Sequence, residues 1–184
     1  MRMSEEHSNQ EVRWLILTST PERSVEAKKS AEHFLRKFKK KEIIIKEFRD
    51  GFLPYSGKLI KKTIEEQKEF QPDLIFTHYR NDLHQDHRLL SDLTWNTFRS
   101  HFILEYEIPK YDGDLGNPNC FVHLDQATAT DKVKALVDHF PSQTSKQWFD
   151  EETFFSLMRI RGVESSAKAK YAEAFYLRKC VIGV

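Results

Sequence analysis

The chain is poor in cysteine and contains no long apolar run. Its two cysteines, Cys120 and Cys180, are too few for a disulfide scaffold, and neither has a partner at the spacing of a metal site. No stretch approaches the 18 apolar residues of a membrane helix, and the N-terminus lacks the apolar segment of a signal peptide. We therefore expect a soluble, cytoplasmic protein with free thiols.

The chain also lacks a Gly-rich turn and an excess of charge of either sign. It has six glycines and none between residues 19 and 24, whereas a plain nucleotide-binding Rossmann module needs a Gly-rich turn after its first strand. Basic residues number 29 and acidic residues 28, so the net charge is +1 and no overall field attracts nucleic acid or an anionic membrane. A length of 184 residues suits one domain, spanning residues 1–184.

Strand-like and helical patterns alternate along the chain. The predicted strands are residues 12–18, 42–48, 73–77, 102–108, 119–123 and 171–177. The predicted helices are residues 20–39, 56–69, 86–101, 125–139 and 150–161. The first helix is well marked, because Thr20 suits an N-cap and Pro21 suits the first helical position. This order predicts the α/β class, with a Rossmann-like, mostly parallel sheet and helices on both faces.

The most informative segment is residues 77–88, which contains three histidines and two aspartates. It follows the apolar strand at 73–77, and in α/β sheets the carboxyl ends of strands are where sites are built. Within it, His84, Asp86 and His87 place two imidazoles and one carboxylate in four residues. Imidazole is a common zinc ligand, and a neighbouring carboxylate can orient the ring or take a proton. A His-rich polar loop without a function is the structural alternative.

With this motif placed after a strand, the chain resembles the PIG-L/LmbE-like N-acetylglucosaminyl deacetylases. The similarity runs through most of the chain, and its separate motifs occur in the right order. They are Arg23 and Glu26, Asp50-Gly51, the segment Asn81–Arg88, Arg161-Gly162 and Tyr171–Phe175. The resemblance implies a zinc hydrolase with a Rossmann-like fold. Such an enzyme cleaves the acetamide of an N-acetylated amino sugar and releases acetate and a free amine.

The resemblance also implies roles for individual residues. His87 matches the third metal ligand of the family, and His84 matches the histidine that hydrogen-bonds the tetrahedral oxyanion. Asp86 matches an acid that orients and tunes its neighbours. Arg23 and Asp50 match positions that bind sugar or phosphate-like groups.

The family's metal-binding pentapeptide, His-Pro-Asp-Asp-Glu, is absent from this chain. The strand at 12–18 matches the family's second strand instead, and residues 1–10 resemble the end of the preceding helix. The first two metal ligands and the general base therefore have no counterpart, and one histidine is a weak zinc site. We expect the chain as it stands to be inactive, with a gap between the strands at 12–18 and 73–77.

Three explanations of this departure are open. In the first, the coding start lies further upstream and adds about 30 residues as one strand–loop–helix unit. In the second, the gene is truncated and its product inactive. The third explanation is a non-catalytic sugar-binding or protein-interaction remnant of the family. In each case the expected ligand is an N-acetylated amino sugar or its conjugate, and exposed sheet edges leave homo-oligomerisation open.

The remaining candidate residues carry less specific signals. Glu173 either lines the substrate pocket or is a buried acid bonded to the backbone. His78 reads as structural, or as a residue supporting the metal ligand. Tyr106, Glu107 and Lys110 precede a loop at residues 111–118 that is rich in glycine and aspartate. Such loops often close over a substrate, but the sequence assigns no role to these side chains.

Overall fold

The computed structural model describes residues 10–178 and residue 180. The helix end expected for residues 1–10 lies almost entirely outside the described residues. The strands are β1 Glu11–Thr18, β2 Lys40–Phe48, β3 Leu74–His78, β4 Phe102–Tyr106, β5 Cys120–Leu124 and β6 Tyr171–Leu177. The helices are α1 Pro21–Phe34, α2 Gly57–Glu66, α3 Gln85–Thr97, α4 Gln126–His139 and α5 Glu151–Glu164. The predicted α/β class is thereby confirmed.

The helix starts follow the capping signals of the sequence. The hydroxyl of Thr20 accepts a hydrogen bond from the Arg23 backbone, and Pro21 opens α1 as expected. Asp125 caps α4 through the Thr128 backbone N–H at 2.7 Å. Asp150 accepts a bond of the same length from the Thr153 N–H. The strand predicted last, at residues 171–177, is β6.

The end of α1 differs from the prediction. The helix was expected to reach about Lys39, but it ends at Phe34. The Leu35 N–H still donates to the Ala31 carbonyl, and the carbonyls that follow are bonded by basic side chains. Arg36 donates to the His33 carbonyl at 2.8 Å, and Lys41 donates to the Leu35 carbonyl at 3.1 Å. The basic side chains after Phe34 thus provide hydrogen bonds to the carbonyl groups at the helix end and do not extend the helix.

The chain divides into two compact units, of which the first comprises residues 1–50 and 125–156. In its described part, β1 and β2 form a two-stranded parallel sheet. Helices α1 and α4 contact each other, and Asp131 of α4 accepts bonds from His33 of α1 and from Arg36, which follows α1. Glu26 is buried, and its carboxylate accepts two bonds from Ser142. Glu26 therefore supports the turn at 141–143.

The second unit comprises residues 51–124 and 157–184. Its described strands form a four-stranded sheet in the order β3-β4-β6-β5. Strands β3 and β4 are parallel, and β6 runs antiparallel to both of its neighbours. The parallel pairing of β3 and β4 agrees with the predicted parallel sheet. Because β6 runs in the opposite direction, this sheet also contains two antiparallel strand pairs. The core of this unit includes Leu53, Ile60, Ile103, Met158 and Ala172.

Candidate functional site

The His-rich segment forms the turn that joins β3 to α3, within the second unit. His78 is the last residue of β3 and pairs with Tyr106 of β4. The chain then turns, with the Asp82 N–H donating to the Tyr79 carbonyl at 3.1 Å. His84 occupies the N-cap of α3 in an extended conformation, and His87 lies in the first helical turn. Strand end and helix start thus place the three histidines in one small region.

The buried carboxylate of Asp82 organises this turn. Its Oδ1 accepts the backbone N–H of His84 at 2.8 Å, and its Oδ2 lies 2.9 Å from Nδ1 of His87 and 3.2 Å from Nζ of Lys110. Burial by itself would raise the pKa of Asp82. The hydrogen bonds from the His87 ring, the His84 backbone and Lys110 outweigh burial and hold the pKa well below the usual aspartate range. The carboxylate is therefore ionised at neutral pH.

An ionised carboxylate can only accept hydrogen bonds, so Nδ1 of His87 must be the donor. In the neutral form of the ring the lone pair is then on Nε2, which is the tautomer of a metal ligand or proton acceptor. Asp82 thus sets the chemical form of His87. This role of Asp82 was not expected from the sequence.

The three imidazole rings are close neighbours. The rings of His78 and His87 are stacked with centroids 4.1 Å apart, and those of His84 and His87 are 4.5 Å apart. Nε2 of His78 lies 3.2 Å from the Tyr106 hydroxyl. Burial, and next the electrostatic effect of the neighbouring His87 ring, lower the pKa of His78 to about 3. Burial followed by the charge of Asp82 raises the pKa of Tyr106. His78 is therefore neutral beside a protonated phenol.

Asp86 makes its bonds away from the imidazoles. Its side chain is buried, and its two oxygens accept the backbone N–H groups of Gly51 at 2.7 Å and Leu53 at 3.1 Å. Gln85 returns a bond to the Gly51 carbonyl at 3.1 Å. Gly51 has a φ of +79°, a conformation that favours glycine. Asp86 therefore fixes the turn at 51–53 against the start of α3, and its catalytic assignment stays a prediction.

The other predicted site residues belong to different elements. Glu173 lies on β6 in register with Val122 of β5. Arg23 is in the first turn of α1, and Asp50 follows β2, so both belong to the first unit. Their substrate-binding roles stay predictions.

A second polar network holds the loop at 111–118. The guanidinium of Arg161 is bonded to both oxygens of Glu107 and donates to the Gly116 carbonyl at 3.0 Å. The Tyr176 hydroxyl donates to Glu107 at 3.1 Å and accepts the Gly116 N–H at 2.9 Å. The rings of Tyr79 and Tyr176 are stacked 3.6 Å apart. Glu107 and Arg161 therefore have a common structural role that the sequence did not reveal.

The described residues do not by themselves form a catalytic zinc site. In residues 10–178 and 180, no group of three or more His, Cys, Asp or Glu side chains is arranged to hold a metal ion. His87 can offer its Nε2 atom to a metal ion. Nε2 of His78, in contrast, lies beside the Tyr106 hydroxyl, and the Asp82 carboxylate is bonded to His87 and Lys110. Three protein ligands are usual for catalytic zinc. No chemical step through a metal is therefore assigned to these residues alone.

Over the same described stretch, no helix combines the length and the apolar character that crossing a membrane requires.

Comparison with known protein families identifies the family of this chain. Residues 3–98, just over half of the chain, match the family model PIG-L, described as GlcNAc-PI de-N-acetylase. No curated protein matches the chain.

Several solved structures share its fold. The conserved protein TT1542 of Thermus thermophilus is 19% identical with a TM-score of 0.71, and the match covers 100% of this chain and 87% of that one. The N,N'-diacetylchitobiose deacetylase of Pyrococcus horikoshii is 22% identical with a TM-score of 0.65, covering 91% and 72%. The zinc-inhibited form of teicoplanin deacetylase Orf2 is 16% identical with a TM-score of 0.61, covering 84% and 72%. The fold is therefore that of LmbE-like deacetylases, and by its family match the chain belongs to the PIG-L family.

Proposed function

We propose that this protein is a deacetylase of N-acetylated amino sugars or their conjugates. It would cleave the acetamide and release acetate and a free amine. Family membership supports the reaction class. The observation that carries the proposal is the pair of imidazoles at the start of α3, 4.5 Å apart, of which His87 is bonded to the buried carboxylate of Asp82.

Amide hydrolysis needs a group that stabilises the negative oxygen of the tetrahedral intermediate, and His84 suits this role. Its backbone is held by Asp82, and within the described part of the chain its buried Nδ1 has no hydrogen-bond partner. A buried polar atom without a partner is costly unless a ligand or water satisfies it. The backbone of His84 is therefore fixed while its ring retains hydrogen-bonding capacity, which suits the proposed contact with an acetyl oxygen.

Zinc belongs to the proposal only through the family resemblance, which assigns His87 as one ligand. The described residues supply no set of three ligands, and this observation favours a second candidate function. In that candidate the protein binds an N-acetylated sugar at the same histidines without hydrolysing it. Both candidate functions require binding of an N-acetylated sugar, and they differ in whether the sugar is hydrolysed.

Acetate release from N,N'-diacetylchitobiose, measured with zinc present, tests the proposal. The deacetylase candidate predicts release by the wild-type protein and a kcat lower by about 10²- to 10³-fold in His84→Ala, the usual effect of losing one oxyanion donor. His123→Ala is the matched control, because His123 is on β5 and bonds the Ser165 carbonyl. Binding without acetate release would favour the second candidate. Neither binding nor release would contradict both.

A further inference from the structure

Lys110 is a buried lysine surrounded by carboxylates. Its side chain is 9% exposed, and Nζ lies 3.2 Å from Oδ2 of Asp82 and 3.7 Å from Oδ2 of Asp112. It is also bonded to Oδ2 of Asp114. An ammonium group is buried at a cost that only close ionic partners offset. The position of this ammonium is therefore determined by Asp82 and Asp114, whose side chains are 3% and 5% exposed.

One oxygen of Asp82, Oδ2, is bonded to both Lys110 and the His87 ring. Nδ1 of His87 is 2.9 Å from Oδ2 of Asp82, while Oδ1 accepts the His84 N–H at 2.8 Å. Three donors therefore hold one carboxylate. Rotation of that carboxylate would break at least one of these bonds, so its orientation toward His87 depends on all three.

Lys110 has a second connection to the His-rich turn, through Asp114. Oδ2 of Asp114 accepts the backbone N–H of Leu83 at 2.7 Å as well as the Lys110 ammonium. Leu83 directly precedes His84. The loop that begins after Lys110 is thereby joined to the backbone that carries the candidate oxyanion donor.

We propose that Lys110 is a positioning residue that holds the Asp82 carboxylate against Nδ1 of His87 and joins the 110–114 loop to the His-rich turn. Lys110 acts through Asp82 and Asp114 and touches no reacting atom. The consequence for catalysis rests on the proposed deacetylase function, whereas the consequence for the His87 ring does not. With Lys110 replaced by an uncharged residue, Asp82 loses one donor and Asp114 loses its cation.

Nuclear magnetic resonance of the full ¹⁵N-labelled chain at one fixed pH tests this directly. In the wild-type protein we expect a slowly exchanging Nδ1 proton on His87 and a nuclear Overhauser effect between this proton and the Lys110 ammonium, because both bond one oxygen. Lys110→Met should lose the Nδ1 proton signal. Lys110→Arg, which keeps the charge, should restore it. Lys62→Met is the matched control, since Lys62 is exposed on α2 and its ion pair with Glu66 is 4.0 Å long.

Activity provides a separate measurement. We expect kcat/KM of Lys110→Met to fall about 10- to 100-fold, as is usual when the partner of a functional histidine is disturbed, with KM near the wild-type value. An unchanged Nδ1 proton in Lys110→Met would overturn the inference. If that variant does not fold, the test is the nuclear Overhauser effect in the wild-type protein. Absence of this effect would overturn the inference. A wild-type protein that releases no acetate contradicts the deacetylase function alone, because the ring signals are read without substrate.

Discussion

Nδ1 of His87 and Oδ2 of Asp82 lie 2.9 Å apart, inside the turn that joins β3 to α3. The two residues are five apart in sequence, and the helix begins between them. Asp82 also accepts the backbone N–H of His84, two residues on, which is the geometry of an Asx-turn. One short-range motif thus orients the histidine in the first turn of the helix and contributes hydrogen bonds that keep the carboxylate ionised.

Asp82→Asn should destabilise the protein at neutral pH by about 1–3 kcal/mol, because the His87 ring and Lys110 lose a buried charged acceptor. The folded-state pKa of Asp82 is lowered, so its contribution to the free energy of unfolding is present above the unfolded-state pKa of about 4. That contribution is lost as the pH falls further toward the folded-state pKa. Urea unfolding of both proteins at pH 7, 5 and 3 measures it.

The difference between the two proteins should be constant from pH 7 to 5 and smaller at pH 3. Asp92→Asn is the control, since Asp92 is exposed and its ion pair with Arg80 is 3.9 Å long. A difference between wild type and Asp82→Asn that grows on acidification would contradict the assignment.

Arg161→Ala should destabilise the protein by about 3–5 kcal/mol, because it leaves the buried Glu107 carboxylate without its cation. Arg161→Lys should recover only part of this loss, since lysine cannot donate to both oxygens in the same fork geometry. Arg159→Ala is a control on the same helix, because Arg159 is exposed and bonds only the Lys170 carbonyl among the contacts described. Denaturant unfolding gives all three values. Equal stability of the two alanine variants would show that the network does not hold the loop.

His87→Ala should weaken zinc binding, whereas His84→Ala should leave it unchanged, because the resemblance makes only His87 a ligand. Disturbing a residue that merely supports a ligand costs about 10- to 100-fold in affinity, so loss of the ligand itself should cost at least that much. Competition with a chromophoric chelator measures both affinities. Equal affinities in the two variants would remove the metal assignment of His87.

Local signals in the sequence were sufficient for most of the elements. Thr20, Asp125 and Asp150 marked three helix starts because a capping side chain is bonded within three residues of its own position. The direction of β6 was not readable, since the period of a strand is the same in both directions. The end of α1 was missed because the basic residues after Phe34 bond carbonyls through side chains, which leaves the apolar pattern unchanged.

The site was predictable to the extent that it is local. The histidines of the motif lie within ten residues of one another, and the Asx spacing of Asp82 was a signal that could have identified it. The partners of Lys110 and Glu107 were not predictable. Lys110 and Asp82 are 28 residues apart in the sequence, and Glu107 and Arg161 are 54 residues apart. Pairs that are so distant along the chain cannot be identified from one sequence without its fold.

The most direct test of the proposed site is a titration of the ¹⁵N-labelled protein with N,N'-diacetylchitobiose, followed through the histidine ring signals. We expect the ring signals of His84 and His87 to shift and those of His123 and His139 to stay in place. The same disaccharide without acetyl groups should have no comparable effect. Shifts confined to His123 or His139, or none at any ring, would contradict an N-acetyl-sugar site at the start of α3.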